Sequence, residues 1–471
     1  MFKDLADFAV KYALKKGADY SEARLEETTS NSFILKNGIA EASGFSKING
    51  LGMRIIKNKT LGFTSTNHLD REKIKKLIQN TINTTEKASK LREEINLSED
   101  KSHKDKYEVK QKLSLNDVSP EEKIKLLFDA EKELVNTKIN IPSRYISLSD
   151  STTTEYLVNS DGTNILATVP RISFFYLLTV EHNNKTSQRI WQYGQTGGFE
   201  FVKKWDIPSI VVSEVKALQN NLKFGIKPPK QALDIVAAPQ ITGIMVHESG
   251  GHPYEADRII GREGAQAGES FITKEMLGTR IGNKVINVVD DPTIENSYGF
   301  YKYDNEGVKA RRKYLIKEGI INEFLHNRET AYYMGIKSNG SSRSVNYDRE
   351  SIVRMSNTFM LPGNYSEEEL IEDVKLGIYM KNFMEWNIDD KRINQKYVGA
   401  ESYLIKNREI KEPVIMPVIE ITTPQLYKAV DAVASNLEYH AGNCGKGEPM
   451  QPIPVWFGGP SIRLRKIRLG N

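Results

Sequence analysis

Two histidines five residues apart form the first candidate site, in the stretch His247-Glu-Ser-Gly-Gly-His252. Neutral imidazoles are common zinc ligands, and a neighbouring carboxylate such as Glu248 can take a proton from metal-bound water. On a regular helix this spacing points the second imidazole roughly 140° away from the first. The helix must therefore bulge, kink or end between them if both bind one ion. The two intervening glycines and Pro253 favour such a distortion; the alternative is a helix end with two surface or capped histidines.

A two-histidine site needs a third protein ligand, and Cys444 and His440 are the candidates. Cys444 lies in a glycine-rich loop, where the backbone can approach an ion closely, and a thiolate suits zinc. A lone cysteine can equally be a small buried hydrophobe. His440 can be a ligand, a group that contacts a ligand, or a polar residue at a strand end. Glu255 and Asp257 are either partners that orient the imidazoles or solvated carboxylates.

The first half of the chain predicts a mixture of helices and strands. Up to about residue 90 the order is helix, strands and helix, with short strands at 22–27, 32–36, 40–45 and 52–56. Asn37-Gly38 and Asn49-Gly50 are predicted to be hairpin turns, because both residue types tolerate positive φ. Residues 92–118 are highly charged and predict a connector. Ser119-Pro120 is typical of a helix start, and strands follow from 144 to 181.

The pair Pro228-Pro229 is the best candidate for a domain boundary, since two prolines stiffen the backbone and cannot donate to a sheet. We therefore predict an N-terminal domain over 1–226 and a C-terminal domain over 231–471. The C-terminal part begins with a strand, and Pro239 then opens the helix that carries the two histidines. A further helix is predicted at about 367–385. The pattern as a whole indicates an α+β protein.

Composition excludes several classes of protein. With 39% hydrophobic residues the chain can form a sizeable core, but no apolar run approaches the eighteen or so residues of a membrane span. Asp4 and Asp7 interrupt the N-terminal stretch where a signal peptide would be apolar, so we expect a cytoplasmic protein. The 66 basic and 61 acidic residues are mixed along the chain, which makes nucleic acid an unlikely partner. The single cysteine excludes an internal disulfide.

The stretch from His247 to Asp257 resembles the signature of the TldD/PmbA family, specifically its TldD branch. Similar blocks follow in the expected order, at 288–293, 303–308, 315–319, 354–358 and at Cys444-Gly-Lys. The resemblance covers nearly all of 230–471 and is looser before it. Arg343 and Arg354 lie in these blocks and are either structural or able to hold a substrate carboxylate.

This resemblance implies a zinc-dependent metallopeptidase that acts on unstructured peptides. It assigns one zinc ion per chain to His247, His252 and Cys444, and the role of general base to Glu248. It implies a mixed N-terminal domain with an antiparallel sheet and helices, followed by a strand-rich, barrel-like C-terminal domain that carries the metal-site helix. It also implies a dimer, formed with a second copy or with a TldE (PmbA)-like subunit.

The sequence thus predicts hydrolysis by a metal-bound water, with Glu248 accepting its proton. One alternative is a non-catalytic peptide-binding or assembly subunit whose metal is structural, with His440 as a fourth ligand. Another is a regulator associated with nucleic acid, which salt-sensitive DNA binding would support.

Overall fold

The computed structural model describes residues 3–89, 94–263 and 268–470, apart from the side chains of residues 42 and 43. Up to residue 224 the helices are α1 (Lys3–Lys15), α2 (Arg71–Ala88), α3 (Pro120–Asn136) and α4 (Ile207–Phe224). The strands there are β1 (Tyr20–Lys36), β2 (Ile39–Lys57), β3 (Thr60–Thr66), β4 (Lys104–Glu108), β5 (Ser143–Asn159), β6 (Asn164–His182) and β7 (Lys185–Thr196). They form one sheet in the order β3-β2-β1-β5-β6-β4, and β7 also pairs with β6.

Local sequence explains the predicted features that the structure confirms. The turn Asn37-Gly38 joins β1 to β2, and both residues have positive φ, 49° and 79°. Helix α3 begins with a capping box, in which Ser119 accepts a hydrogen bond from the backbone N–H of Glu122 and the Glu122 side chain accepts one from Ser119. These contacts satisfy backbone donors that a helix start would otherwise leave unpaired.

The second predicted turn, at Asn49-Gly50, is wrong. β2 continues through both residues and pairs with β1 along this stretch, so the predicted short strands are parts of two long ones. A Cβ atom on Gly50 would lie 2.2 Å from the ring of Tyr347. The glycine is therefore needed for the close approach of an aromatic ring to the strand rather than for a turn.

The predicted charged connector, 92–118, contains regular structure. β4 pairs in parallel with β6, and a short 3-10 helix covers Leu115–Asp117. Residues 92 and 93 lie outside the described residues.

Beyond residue 230, the helices are α5 (Pro239–Val246), α6 (Ala256–Ile259), α7 (Arg328–Tyr333), α8 (Glu367–Glu372) and α9 (Thr423–Ala429). The first strands are β8 (Leu233–Ala237), β9 (Val288–Asp290), β10 (Lys313–Lys317), β11 (Ile320–Ile321), β12 (Ser342–Arg343), β13 (Ile352–Val353), β14 (Asn357–Met360), β15 (Leu376–Met380) and β16 (Phe383–Ile388). The remaining strands are β17 (Asn394–Gly399), β18 (Ser402–Lys406), β19 (Glu409–Pro413), β20 (Val418–Thr422), β21 (Val430–Val433), β22 (Glu438–Cys444), β23 (Ile453–Gly459) and β24 (Ile462–Ile467).

These strands form two six-stranded sheets, β11-β10-β9-β14-β23-β22 and β19-β18-β15-β8-β24-β21. A three-stranded sheet, β16-β17-β20, and the pair β12-β13 complete the C-terminal part. Helix α5 is largely apolar, and every residue except Gln240 is buried. Ile241, Ile244, Met245 and Val246 belong to a core shared with both six-stranded sheets. A helix of this kind needs cover on every side, and it carries the two histidines at its C-terminal end.

The helix predicted at about 367–385 is also wrong beyond its first turns. α8 ends at Glu372, and β15 and β16 follow. β15 lies between β8 and β18, and its residues 377–380 are buried. A central strand covered on both faces has a continuous apolar run rather than alternation, so the sequence pattern did not reveal it.

The protein thus has the predicted α+β fold, with a mixed N-terminal part and a strand-rich C-terminal part that includes a curled half-barrel sheet. Among the described residues, strands before 197 pair within the N-terminal sheet and strands after 232 pair within the C-terminal sheets. The division at 226 and 231 stays a prediction. In the part of the chain that the structure describes, no helix has the length and apolar character needed to cross a bilayer.

Candidate metal centre

The helix that carries the histidines changes its winding where they begin. A π turn covers His247–Gly251, and the backbone N–H of His252 donates to the carbonyl oxygen of His247, five residues back. The two imidazoles therefore face each other, with ring centroids 5.0 Å apart and ring planes at 82°. This confirms the predicted distortion. A Cβ on Gly251 would lie 1.9 Å from Sδ of Met355, so a larger residue there would have to displace this buried side chain.

The third candidate ligand, Cys444, is the last residue of β22 and meets the two histidines. One ligand atom from each of His247, His252 and Cys444 lies within 4.8 Å of the others, and all three residues are buried. Cys444 Sγ is 3.3 Å from Nε2 of His252. Nδ1 of His247 is buried and has no hydrogen-bond partner among the described residues. Buried polar atoms are normally paired, so an imidazole and thiol set of this kind fits a metal ion.

Local charges favour the ligating form of the cysteine. Burial alone would raise the pKa of the Cys444 thiol, but His252 and Arg354 lower it to about 7. Burial also lowers the pKa of His247 and so favours its neutral form. Metal ions bind thiolates and neutral imidazoles, so these shifts agree with a metal site.

Glu248 lies beside the three candidate ligands and is held at both carboxylate oxygens. Nε1 of Trp386 donates to Oε1 at 3.1 Å, and Nη1 of Arg392 donates to Oε2 at 3.2 Å. Burial would raise the pKa of this carboxyl, but His252, His247 and Arg392 hold it below its usual value. Glu248 is therefore an ionised carboxylate with a fixed orientation.

Glu255 orients one of the imidazoles. Its Oε2 atom lies 3.0 Å from Nδ1 of His252 and accepts a 2.7 Å hydrogen bond from Nε of Arg258. Lys446 and Arg258 outweigh the effect of burial and hold the pKa of Glu255 well below its usual range. A carboxylate on Nδ1 fixes the tautomer that leaves Nε2 as the metal-binding atom.

Asp257 neither orients an imidazole nor lies in solvent, the two roles considered for it from the sequence. Its two oxygens accept hydrogen bonds of 2.7 and 2.8 Å from Nζ of Lys446, and Lys446 also donates to the carbonyl oxygen of Val353. This buried ion pair connects the loop after Cys444 to the chain after His252. Asp257 thus fixes the position of a ligand loop rather than an imidazole.

The two arginines of the family-like blocks bind backbone carbonyl oxygens. Arg354 donates to the carbonyls of Cys444 and Gln451, and Arg343 donates to those of Met355 and Pro454. These contacts favour the structural interpretation over a substrate carboxylate.

His440 lies outside the cluster of three ligands found among the described residues. Its ring packs against Trp191 and Phe457, with centroids 5.1 and 5.8 Å away. Burial lowers the pKa of His440 to about 3 and keeps it neutral. Among the described residues, the structure thus brings Cys444, and not His440, within ligand distance of the histidine pair.

The candidate ligands and Glu248 line a cavity of about 460 Å³ between β7, β16, α5 and β22. Sequence reasoning missed Trp386, Arg392, Lys446 and the aromatic side chains of this cavity. Lys446 alone had a signal, since it stands two residues after Cys444 in the Cys-Gly-Lys block. The others come from segments with no recognisable motif, and only the fold brings them to the site.

Three family models match this chain and cover most of it. They are described as PmbA/TldA metallopeptidase domain 1 at residues 21–84, the central domain at 113–218 and the C-terminal domain at 230–471. These descriptions identify the chain as a metallopeptidase. The chain belongs to the PmbA/TldD metallopeptidase family, and within it to the TldD type.

Similar proteins carry corresponding names. A metalloprotease of Methanocaldococcus jannaschii is 32% identical over 450 residues, which is 94% of this chain and 96% of the relative. A zinc metalloprotease TldD homolog of Saccharolobus solfataricus is 26% identical over 464 residues, or 98% of this chain and 99% of the relative.

Solved structures share the fold at low sequence identity. TldE from Thermococcus kodakarensis has a TM-score of 0.79 at 15% identity, over 99% of this chain and 100% of that one. A putative modulator of a DNA gyrase from Thermotoga maritima also has a TM-score of 0.79, at 16% identity and complete coverage of both chains. These likenesses describe the architecture alone.

Proposed function

We propose that the protein is a zinc-dependent peptidase that hydrolyses unstructured peptides, with one zinc ion held by His247, His252 and Cys444. The observation that carries the proposal is the meeting of these side chains, within 4.8 Å of one another, in a cavity that also contains Glu248. Zinc supplies Lewis-acid chemistry there, since it polarises a carbonyl group and acidifies water. The name of the Saccharolobus relative supports zinc as the metal.

In this proposal Glu248 is the general base. It accepts a proton from the attacking water and delivers it to the leaving amine of the substrate. Its lowered pKa keeps it ionised and able to accept that proton. Trp386 and Arg392 each hold one carboxylate oxygen, so the proton acceptor keeps a fixed direction towards the ligand cluster.

The cavity favours an extended substrate. β22 is the last strand of its sheet, and β7 pairs with β6 on one side. Both strands contribute residues to the cavity. A peptide in extended conformation can pair with such an edge through its backbone groups, most of which are already paired in a folded protein. This supports unstructured peptides as the substrate class.

The structural-metal alternative is less well supported. A structural zinc site has four protein ligands, and the predicted fourth, His440, is packed among aromatic rings. The cluster among the described residues contributes three ligands and an adjacent carboxylate, which is the composition of a catalytic site.

The variant Glu248→Gln tests the proposal. We expect it to bind zinc as the wild type does and to lose peptide cleavage by a factor on the order of 10²–10⁴, because proton transfer is removed. Zinc content and the rate of cleavage of a disordered peptide are measured side by side. Glu438→Gln, a mostly exposed change on β22, is the matched control and should retain both properties. Full activity in Glu248→Gln would refute the role of Glu248 as general base.

We also propose a dimer, formed with a second copy or with a TldE-like chain. The likeness to TldE from Thermococcus kodakarensis supports a related partner of the same fold. The molecular mass of the pure protein in solution tests this: a dimeric mass supports a homodimer, and a monomeric mass supports pairing with a different subunit. The cytoplasmic location stays a prediction.

A further inference from the structure

Four aromatic side chains form one wall of the cavity: Phe457, Trp191, Phe383 and Trp386. We call them the aromatic arc. Neighbouring ring centroids are 5.9, 5.7 and 5.4 Å apart along this order, and each pair meets edge to face. Such contacts stabilise aromatic clusters beyond the area that they bury. The arc is therefore a continuous apolar surface rather than a set of isolated rings.

Both ends of the arc contact the reacting groups. The ring of Phe457 lies 6.0 Å from that of His247, and Nε1 of Trp386 donates to Glu248. A peptide bond that is cleaved here must lie between the metal ligands and the general base. The residue next to that bond therefore places its side chain against the arc.

The arc is held in place from behind. The guanidinium of the fully buried Arg189 stacks on Trp191 at 4.3 Å from the ring centroid and lies 5.6 Å from that of Phe383. Arg189 also forms an ion pair with Glu214 at 3.3 Å and donates to the carbonyl oxygen of Phe383. A preformed wall of this kind binds an apolar group without first having to become ordered.

The charged side chains of the cavity lining already interact with each other. Glu248 and Arg392 form an ion pair of 3.2 Å, and the other lining residues are apolar, polar and uncharged, or candidate metal ligands. A charged substrate side chain against the arc would lose its hydration, and the described lining residues offer it only charges that already pair with each other. The arc thus disfavours acidic and basic residues and favours apolar ones.

From this geometry we infer that the aromatic arc selects substrates with a bulky apolar or aromatic residue directly beside the scissile bond. The inference rests on the proposed peptidase function and names its substrate class. Such residues are mostly buried in folded proteins and become accessible in unfolded chains. Both the aromatic arc and the strand edges therefore favour unfolded polypeptide as the substrate.

Matched peptides test this inference. The zinc-loaded wild-type protein is given glycine- and serine-rich decapeptides that differ only in one central residue: Phe, Leu, Ala, Asp or Lys. Mass spectrometry identifies the bond that is cut and its rate. We expect cleavage beside Phe and Leu to be at least about tenfold faster than beside Asp or Lys, with Ala between them. Equal rates for all five peptides, or faster cleavage beside a charge, would overturn the inference and leave the peptidase proposal intact.

The variant Gly442→Ala sharpens the test. A Cβ atom at Gly442 would lie 3.3 Å from the ring of Phe457, so alanine there crowds one end of the arc. We expect the preference for Phe over Ala to fall severalfold while zinc content stays unchanged. An unaltered preference in a protein that still binds zinc would contradict the assignment of this wall.

A binding measurement separates the inference from the proposed function. Glu248→Gln protein, in which Arg392 has lost its ion pair with Glu248, is titrated with the uncharged Phe and Ala peptides. Tryptophan fluorescence, to which Trp191 and Trp386 contribute, reports occupancy of the cavity. Tighter binding of the Phe peptide, by about tenfold, supports the arc even if the wild type cuts no peptide. Absence of cleavage would refute the peptidase proposal, whereas equal affinities would refute the arc.

Discussion

Two buried lysine–aspartate ion pairs have nearly the same nitrogen–oxygen distance and lie in different parts of the molecule. Nζ of Lys446 is 2.7 Å from Asp257, and Nζ of Lys123 is 2.8 Å from Asp150. Each lysine also donates to one backbone carbonyl oxygen. The first pair joins the loop after Cys444 to the chain after the second histidine, and the second joins α3 to β5. Both pairs are thus buried, but Lys446 also lies 3.4 Å from Glu255 and 3.8 Å from Glu263, beside the candidate metal ligands. We therefore infer that the Lys446 pair positions these candidate ligands, whereas the Lys123 pair stabilises the fold.

The largest expected effect comes from Lys446→Met. This change leaves Asp257 buried without its cation and frees the loop that positions Cys444. Because groups that hold metal ligands in place affect binding strongly, we expect zinc affinity to fall by about 10–100-fold. Competition with a chelator of known affinity measures it, and the thiolate-to-cobalt absorption of the Co²⁺-substituted protein reports whether Cys444 still coordinates. If a folded Lys446→Met protein kept the wild-type zinc affinity and cobalt spectrum, the Lys446–Asp257 pair would not position Cys444.

Lys123→Met is the matched control. Removing one partner of a buried ion pair costs about 3–5 kcal/mol, so we expect a loss of this order in Lys123→Met. The loss in Lys446→Met should be at least as large, because Glu255 and Glu263 also lose this cation. Zinc affinity should stay at the wild-type value in Lys123→Met, since Asp150 lies in the N-terminal sheet. Denaturant unfolding gives the free energies. A loss of zinc affinity as large as that of Lys446→Met would mean that general destabilisation, and not position, explains both.

A smaller effect is expected at Glu26, a buried carboxyl that pairs with no lysine among the described residues. Burial raises its pKa to about 7, and Glu155 adds to the shift while Arg24 opposes it. The folded protein therefore binds more protons than the unfolded chain between about pH 4.5 and 7, and stability falls as the pH rises through this window. In the Glu26→Gln variant, the loss of unfolding free energy across this pH window should be smaller by up to about 3 kcal/mol. Unfolding at pH 5 and pH 8 measures it, and an identical pH dependence in both proteins would refute the shift.

Local patterns predicted those parts of the fold that depend on neighbouring residues. Asn37-Gly38 forms the hairpin, and the capping box at Ser119 starts α3. The same dipeptide type at Asn49-Gly50 lies inside a strand, because Tyr347, nearly three hundred residues away, packs against it. The acidic start at Glu367 does begin a helix, but the segment after it becomes a central strand between β8 and β18. Contacts distant in sequence decided these cases.

Some residues of the candidate site could likewise be predicted from local sequence, and others could not. The five-residue spacing of the histidines required a distorted helix, and the π turn provides it. Glu255 could be suspected from its place three residues after His252. Trp386 and Arg392 could not, because they reach Glu248 from the β16–β17 hairpin.

The most direct test of the account is the zinc content of the wild-type protein beside that of Cys444→Ala. We predict about one zinc ion per wild-type chain, and a content that is lost or much reduced in the variant, with circular dichroism showing that both are folded. Equal zinc in both proteins would contradict Cys444 as the third ligand. No zinc in either, even after zinc is offered, would contradict the metal centre itself.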